Sequence, residues 1–284
     1  MTRVPPTPDE IIAALDGAAK HHATPNGAGD VAWRVWGEGP PLVLLHGGTG
    51  SWMHWVRNIE ELSRNFMLVV PDIPGSGESA TPEPPISADR IGATLARGLA
   101  TIVGAETSFA VAGFSMGGLI AGYLVRHAGA SARCLVLVGA TGTGRRSPMQ
   151  LTSWRRLASE EEKIAAHRHN LGMLMIHDPT KIDALAIHMQ KINAEHSRVR
   201  GKHVSHTGTL AEALAGFTGR LAGIWGEHDA SAVPYLAERC EKLQQLQPQA
   251  TFDVFPGVGH WVQYEEAERF NRRLRELVQA AQHA

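Results

Sequence analysis

The sequence predicts an α/β fold, with a mostly parallel central sheet flanked by helices and a helical cap inserted late in the chain. The first observation is a series of short, continuously apolar runs, which are typical of strands buried on both faces of a parallel sheet. The second is that these runs alternate with helical patterns, as βα units do. The third is a charged, histidine-rich helical segment that interrupts this alternation before it resumes.

The first half of the chain predicts strands and helices in regular succession. Apolar positions at helical spacing predict a first helix, for which Asp9 is the expected N-cap. A Gly-Glu-Gly-Pro turn separates the first two strands. The predicted strands are 32–36, 41–45, 66–72, 108–114 and 134–139, and the predicted helices are 9–20, 52–63, 87–103 and 116–127.

The second half begins with the interruption. Residues 141–207 carry no strand pattern and indicate a helical cap, which we expect over the carboxyl ends of the strands, where α/β proteins bind ligands. Strands at 221–226 and 251–255 and helices at 233–246 and 265–281 then complete the sheet. We therefore expect one catalytic domain, with core parts 1–140 and 208–284, the cap 141–207, and an N-terminal extension over 1–30.

Composition excludes several classes of protein. The 27 basic and 28 acidic side chains give a net charge of −1, which argues against a surface for nucleic acid or anionic membrane. The two cysteines, Cys134 and Cys240, lie in unrelated patterns and predict no disulfide. The first residues lack the apolar stretch of a secretory signal, and no run reaches the ~18 apolar residues of a membrane span. We expect a cytoplasmic protein.

Ser115 lies in the most informative motif of the chain, Gly113-x-Ser-x-Gly117, between an apolar strand and a helix. A nucleophile on such a tight turn needs neighbours without a Cβ so that strand and helix can approach closely. The turn exposes the serine hydroxyl and leaves the backbone N–H of Met116 beside it at the helix N-terminus. The motif predicts a nucleophilic serine.

A serine hydroxyl needs a base, and the base needs an orienting group. His260 lies in a Gly/Pro-rich loop directly after the last strand, and Asp229 begins the loop that follows the preceding strand. The order Ser115, Asp229, His260 is that of one known triad arrangement in α/β sheets. Glu227 is the second choice for the carboxylate, because it lies closer to the strand. A solvated acid in a turn is the alternative for either carboxylate.

The Gly-rich loop after the second strand is suited to hold a developing oxyanion. In His46-Gly47-Gly48, the N–H of Gly48 would join that of Met116, and His46 would shape the loop. A phosphate-binding loop is the alternative, but the spacing fits neither a Walker motif nor a dinucleotide fingerprint. The turn that begins at Asp72 is interpreted as structural.

Together these motifs resemble the α/β-hydrolase superfamily over essentially the whole chain from Trp33 onward. The matching segments are His46-Gly-Gly, Asp72-x-Pro-Gly-x-Gly, Gly113-x-Ser-Met-Gly-Gly, Gly226-x-x-Asp229 and Gly259-His260-Trp261. The serine is unlike the aspartate nucleophile of the branch that acts on haloalkanes and epoxides. Within the serine branch, Ser-Met-Gly-Gly and Gly-His-Trp-Val-Gln-Tyr-Glu are most similar to meta-cleavage-product (carbon–carbon) hydrolases and related esterases.

The resemblance implies a cofactor-free serine hydrolase that acts on a small, mainly apolar carbonyl substrate, of carboxylic ester type. Carbon–carbon cleavage of an aromatic meta-cleavage product is the alternative, and a lactonase, an amidase or a non-catalytic ligand receptor are further ones. The carbon–carbon hydrolases hold a substrate carboxylate with a cap arginine. In this sequence His188 falls near that place, and Arg198 and Arg200 follow downstream.

Several further residues are expected to contact substrate, namely Gly47, Trp261, His188, Trp154 and Met149. Methionine and tryptophan side chains can form an adaptable apolar pocket, although most such residues in helices belong to the core. The cap histidines lack the pattern of a zinc site, so we expect no metal. We also expect a small-molecule substrate as the partner, with no nucleic acid or membrane, and a homodimer is compatible with the edge formed by the last strand and helix.

Overall fold

A computed structural model describes residues 5–145, 149–199 and 201–282. Within these residues, eight strands form one sheet in the order β1-β2-β4-β3-β5-β6-β7-β8. The strands are β1 Lys20–Asn26, β2 Gly29–Trp36, β3 Pro41–Leu45, β4 Met67–Pro71, β5 Phe109–Phe114, β6 Ala132–Val138, β7 Arg220–Gly226 and β8 Thr251–Phe255. β1 and β2 pair antiparallel, as do β2 and β4, and all other pairs are parallel. The predicted fold class is confirmed.

Helices cover both faces of this sheet. Their bounds are α1 Pro8–Gly17, α2 Ile59–Leu62, α3 Ala88–Val103, α4 Met116–Ala128, α5 Glu160–Asn170, α6 Ala184–Glu195, α7 Gly201–Ser205, α8 Leu210–Ala213, α9 Leu236–Leu246, α10 Val262–Glu265 and α11 Ala267–Gln282. In β3, Leu42 and Leu44 pack into one apolar cluster, and Val43 and Leu45 into another on the opposite face. Because successive side chains of a strand point to opposite faces, one continuous apolar run fills both layers.

The first strand departs from the prediction. β1 lies inside the predicted N-terminal extension, yet it forms the antiparallel edge of the central sheet and is joined to β2 by a two-residue turn with Gly27 at φ 64°. The segment Lys-His-His-Ala-Thr-Pro-Asn has no apolar alternation, because most of it is exposed at the sheet edge. Thr7, and not Asp9, is the N-cap of α1, where it forms a capping box with Glu10.

The single helix predicted at 52–63 is wrong, because the structure divides this stretch into two short elements. A short 3₁₀ turn, Trp52–Trp55, and then α2 occupy this stretch. Tertiary hydrogen bonds hold the break: the N–H of Trp52 donates to Asp72 Oδ1 at 2.8 Å, and the side-chain amide of Asn58 donates to Gln263 and Asn271. Because Asp72 and Asn58 tie the chain to distant elements, local helical periodicity does not decide its path.

The cap region between β6 and β7 contains helices and turns in its described residues, and side chains of the core hold it. Arg57 donates to Asp183 Oδ2 at 2.5 Å, and the Tyr264 hydroxyl donates to Asp183 Oδ1 at 2.5 Å. Asp183 is also the N-cap of α6. The cap is therefore fixed to the core at the start of its longest helix. Among the described helices, none is both long and apolar enough for a membrane span.

Candidate active site

Ser115 sits on a strained turn between β5 and α4. Its φ of 53° and ψ of −117° lie outside the regions that residues with a Cβ normally adopt. Its N–H donates to the Val138 carbonyl at 2.8 Å, which fixes the turn against β6. A Cβ on Gly117 would overlap the His46 carbonyl, so this position requires glycine as the motif predicts. The side chain of Ser115 is half-buried.

His260 and Asp229 meet beside this turn. The His260 Nδ1 lies 2.9 Å from Asp229 Oδ2, and both residues are buried, at 2% and 0% exposure. Gly139, at φ 52°, directly follows β6; a Cβ there would lie 3.0 Å from His260 Cε1 and Nδ1. The ring of His260 is 4.8 Å from that of Phe114, the residue before the serine. The structure therefore brings the three predicted triad residues to one end of the sheet.

The charge state of Asp229 follows from its neighbours. Burial on its own raises the pKa of this carboxyl, but the charge of His260 and hydrogen bonds from His260 and Ser231 outweigh it, so that the pKa falls below its usual value. The N–H of Ser231 donates to Asp229 Oδ1 at 2.8 Å, and Ser231 Oγ lies 3.3 Å from His260 Nδ1. Asp229 is thus ionised where it can orient and stabilise an imidazolium.

Glu227, the second choice for the acid, lies elsewhere. Its carboxylate accepts the N–H of Gly257 at 2.9 Å, and its side chain is 54% exposed. The structure thus brings Asp229, and not Glu227, to the histidine.

The Gly-rich loop lies against the nucleophile. A Cβ on Gly47 would lie 3.2 Å from Ser115 Cβ, and one on Gly48 would lie 3.9 Å from Met116 Sδ. The N–H groups of Gly48 and Met116 donate to no other residue in the described ranges. Two backbone donors are therefore available close to the serine, which is the arrangement that an oxyanion requires.

His46 shapes this loop. Its Nε2 accepts the N–H of Ile73 at 2.8 Å, so its Nδ1 carries the proton and donates to the Gly47 carbonyl at 2.8 Å. Burial lowers the pKa of His46, against the attraction of Asp72. A neutral ring with one donor and one acceptor fits both hydrogen bonds.

His54 is a site residue that the sequence analysis missed. Its Nδ1 accepts the N–H of Gly47 at 3.1 Å, and its ring packs edge-on against Phe114 and Trp261. Burial lowers the pKa of His54 well below its usual value, and the neighbouring His46 and His260 add to this shift. A neutral His54 thus binds the N–H of Gly47, so this N–H is not one of the two donors available to an oxyanion. The motif Trp-Met-His-Trp after the loop is the only signal of this role in the sequence.

Two of the residues predicted to contact substrate, Trp261 and His188, contact other residues of this chain instead. Trp261 is 1% exposed, stacks on Tyr264 at 4.2 Å between ring centres and donates its Nε1–H to the His54 carbonyl. It therefore forms the wall behind the base. His188 points from α6 to α1, where its Nε2 lies 3.0 Å from Asp9 Oδ1. No contact joins His188 to the triad in the described part of the chain.

The other predicted cap residues lie at the start of the cap. Trp154 packs on His167 at 5.2 Å between ring centres, and the Arg155 guanidinium covers its indole. Met149 is 36% exposed. Arg198 donates to the carbonyls of Gly77 and Ser79 in the core, and Arg200 lies outside the described residues. The structure therefore does not bring Trp154 or Met149 into contact with the triad residues within the described ranges.

Glu265 is a second residue that the sequence analysis did not single out, although it ends the Gly-His-Trp-Val-Gln-Tyr-Glu segment. Its carboxylate, 4% exposed, accepts the N–H groups of His177, Asp178 and Gly259 at 3.1, 2.8 and 2.8 Å. The first two belong to the cap, and Gly259 precedes the histidine of the triad. This carboxylate thus joins cap and base loop. Within the described ranges, no three His, Cys, Asp or Glu side chains are placed to hold a metal ion.

The strained serine, the buried His–Asp pair and the two backbone donors lie together at the carboxyl end of a parallel sheet, where α/β proteins bind ligands. The model of the alpha/beta hydrolase family matches residues 42–273. The chain therefore belongs to the α/β-hydrolase family, and it is a hydrolase.

Known proteins agree with this membership. A 2-hydroxy-6-oxononadienedioate/2-hydroxy-6-oxononatrienedioate hydrolase 2 of Pseudomonas putida is 30% identical over 271 residues, which cover 86% of this chain and 89% of the relative. The crystal structure of the esterase RhEst1 from Rhodococcus superposes with a TM-score of 0.75, at 22% identity, over 93% of this chain and 99% of its own. The meta-cleavage product hydrolase CumD of Pseudomonas fluorescens superposes with a TM-score of 0.71, at 23% identity, over 92% and 98%. The structural matches share the fold.

Proposed function

We propose that the protein is a serine hydrolase for a small, mainly apolar and uncharged carboxylic ester, with Ser115 as nucleophile, His260 as base and Asp229 as orienting acid. The observation that carries this proposal is the buried His260–Asp229 pair, 2.9 Å apart, beside a strained serine. A half-buried serine hydroxyl on a strained turn beside such a pair is the feature that acyl transfer requires. No cofactor takes part in this chemistry.

The reaction follows from these positions. Ser115 Oγ attacks the ester carbonyl while His260 accepts its proton, and the tetrahedral oxyanion receives hydrogen bonds from the N–H groups of Gly48 and Met116. His260 then donates the proton to the departing alcohol, which leaves an acyl group on Ser115. Water then attacks the acyl carbon while His260 accepts its proton, and a bond forms from the water oxygen to that carbon. The bond from the acyl carbon to Ser115 Oγ breaks, His260 returns the proton to Oγ, and the carboxylic acid leaves.

Three arginines in the described part of the cap favour an uncharged substrate, because protein carbonyls already bind them. Arg155, Arg168 and Arg198 donate to the backbone carbonyls of Ala194, of Ile182, and of Gly77 and Ser79. A substrate carboxylate would need a cation free to bind it, since desolvating an unpaired carboxylate is costly. Met53 of the core and Met175 and Met189 of the cap belong instead to one buried apolar cluster between the two.

A carbon–carbon hydrolase is the second candidate. The similarity to a relative named for a ring-cleavage dienedioate supports it, as does the Gly-His-Trp segment around His260. In this reaction the same histidine and serine would assist ketonisation of a vinylogous diketone before the carbon–carbon bond breaks. A cytoplasmic location and a homodimer stay predictions for either candidate.

A comparison of two substrates, each assayed on its own, tests the proposal. The purified protein is offered p-nitrophenyl butyrate and, separately, a yellow 2-hydroxy-6-oxo-dienoate ring-cleavage product, and kcat/KM is measured for each. We expect efficient turnover of the ester and slow loss of the yellow colour, with S115A inactive on both. Preference for the dienoate would favour the second candidate, and full activity of S115A would refute both.

A further inference from the structure

Arg239 is a buried cation with no role in the reaction described above. Its side chain in α9 is 2% exposed, and its guanidinium donates to the carbonyls of Ser231, Arg145 and Ala140 at 2.5, 2.8 and 3.5 Å. Its Nε has no partner in the described part of the chain, and no described carboxylate forms an ion pair with it. A guanidinium buried among carbonyls alone is costly, so a nearby negative charge is expected to compensate it.

The candidate for that charge is Asp229. Ser231, which accepts the shortest of the three hydrogen bonds, donates its own N–H to Asp229 Oδ1 at 2.8 Å. Ala140, which accepts another, follows Gly139, where a Cβ would lie 3.2 Å from Asp229 Oδ2. Ser231 therefore links Arg239 to the acid through two hydrogen bonds, and the segment Gly139–Ala140 lies close to both residues. Burial lowers the pKa of Arg239, and the attraction of Asp229 is the first of the forces that oppose it.

We propose that Arg239 is a positioning residue that compensates the buried charge of Asp229 and thereby lets His260 accept the serine proton near neutral pH. A neutral imidazole does not cancel the charge of Asp229, although it lies 2.9 Å away. Without Arg239, the field of the uncompensated carboxylate would favour the imidazolium. An imidazolium cannot accept the serine proton, so the enzyme would lose activity near neutral pH. This inference rests on the triad of the proposed function.

Other ionisable groups face this pair as well. Those that face His260 are Asp229, from the loop after β7, and the neutral His54, from the turn after β3. The charged or titratable groups that act on Arg239 are Asp229, Cys240 and Glu238. Glu238 is bound by Lys242 at 2.6 Å at the surface, and burial raises the pKa of Cys240. Asp229 is therefore the fully buried anion to which Arg239 responds.

The pH dependence of serine labelling tests the inference without a natural substrate. Wild type, R239Q and R239K are treated with diisopropyl fluorophosphate from about pH 5 to 9, and the rate of adduct formation is followed by intact-protein mass spectrometry. R239Q removes a positive charge near the His260–Asp229 pair, so the midpoint of the acid limb should rise by about one pH unit. R239K keeps the positive charge but not the planar guanidinium with its several N–H donors. The midpoint of its acid limb should therefore stay near that of wild type.

The two variants separate charge from structure. If Arg239 only held the three carbonyls, R239Q and R239K would both lose stability and neither would move the midpoint. Equal midpoints in wild type and R239Q, or equal shifts in both variants, would overturn the inference while the proposed function stands. If wild type forms no adduct at Ser115, the proposed function falls and the inference falls with it.

A double variant keeps the test decisive if R239Q is too unstable to study. D229N removes the negative charge that Arg239 is proposed to compensate, so R239Q/D229N should be more stable than the sum of the two single changes predicts. A soluble, folded R239Q/D229N beside an unfolded R239Q would support the charge coupling. If the double variant is as unstable as additivity predicts, the two residues are not coupled and the inference is wrong.

Discussion

Replacing Glu265 with glutamine should separate the cap from the base loop while changing only one side-chain oxygen. The buried carboxylate accepts three N–H groups: Oε2 accepts those of His177 and Gly259, and Oε1 accepts that of Asp178. A glutamine has a single oxygen, so its NH₂ must face at least one N–H donor. The best placement puts the oxygen at the site of Oε2 and leaves the N–H of Asp178 unpaired.

The size of the effect can be worked from these three hydrogen bonds. A hydrogen bond to a charged group contributes about 1.5–3 kcal/mol, and a donor left unsatisfied in the interior costs about 1–3 kcal/mol. E265Q loses one such bond and the charge that strengthens the other two, so we expect the free energy of unfolding to fall by about 2–4 kcal/mol. Because Gly259 precedes His260, a shift of the base loop should also lower kcat/KM by about 10- to 100-fold.

Urea denaturation and ester hydrolysis measure the two effects, and the chain offers a matched control. Glu227 also accepts the N–H of a glycine, Gly257, in the segment that leads to the base, but its side chain is 54% exposed. E227Q should therefore change the free energy of unfolding by less than about 0.5 kcal/mol and leave kcat/KM near that of wild type. If E265Q is as stable and active as wild type, or if E227Q loses as much stability and activity as E265Q, the Glu265 carboxylate does not join the cap to the base loop.

Two further changes test the packing and the protonation of the site. In G139A, a Cβ would lie 3.0 Å from the His260 ring at a φ of 52°, so kcat/KM should fall at least tenfold. G129A is the control, because its φ of 60° is equally unfavourable but no atom lies within 4 Å of its Cβ. G129A should therefore lose stability and keep its activity. Burial holds the pKa of His54 well below its usual value, so the unfolded chain binds a proton near pH 6.5 that the folded chain does not. The free energy of unfolding should thus fall by up to about 1.4 kcal/mol per pH unit for this residue as the pH drops from about 7 to 5. H54N keeps an acceptor for the loop N–H and should reduce that slope by one proton in urea melts; an unchanged slope would contradict a buried neutral histidine.

The fold was predictable because the buried strands carry their signal in the sequence. β3, with the segment Pro-Leu-Val-Leu-Leu, is apolar on both faces and packs on both faces. The edge strand β1 was missed because its stability comes from pairing with β2 and not from its own apolar side chains. The break in the predicted helix at 52–63 was missed because Asp72 and Asn271, distant in sequence, bind its polar groups.

The candidate site likewise contains residues that the sequence predicted and residues that it did not. Ser115, Asp229 and His260 each follow a strand in a Gly-rich motif, and the parallel sheet brings such ends together. His54 and Arg239 lie outside the Gly-rich motifs, and what they do in the structure is bind backbone groups: His54 binds the N–H of Gly47, and Arg239 binds the carbonyl of Ser231. Cap residues were the least predictable part, since the direction of a helical side chain depends on which face packs on the core.

Covalent labelling tests whether Ser115, activated by His260 and Asp229, is the proposed nucleophile of this hydrolase. The protein is treated with diisopropyl fluorophosphate, and the adduct is located by peptide mass spectrometry. We expect one adduct per chain, located on Ser115, absent in S115A and formed much more slowly in H260A and D229N. An adduct on another residue, or equally fast labelling of H260A and wild type, would contradict it.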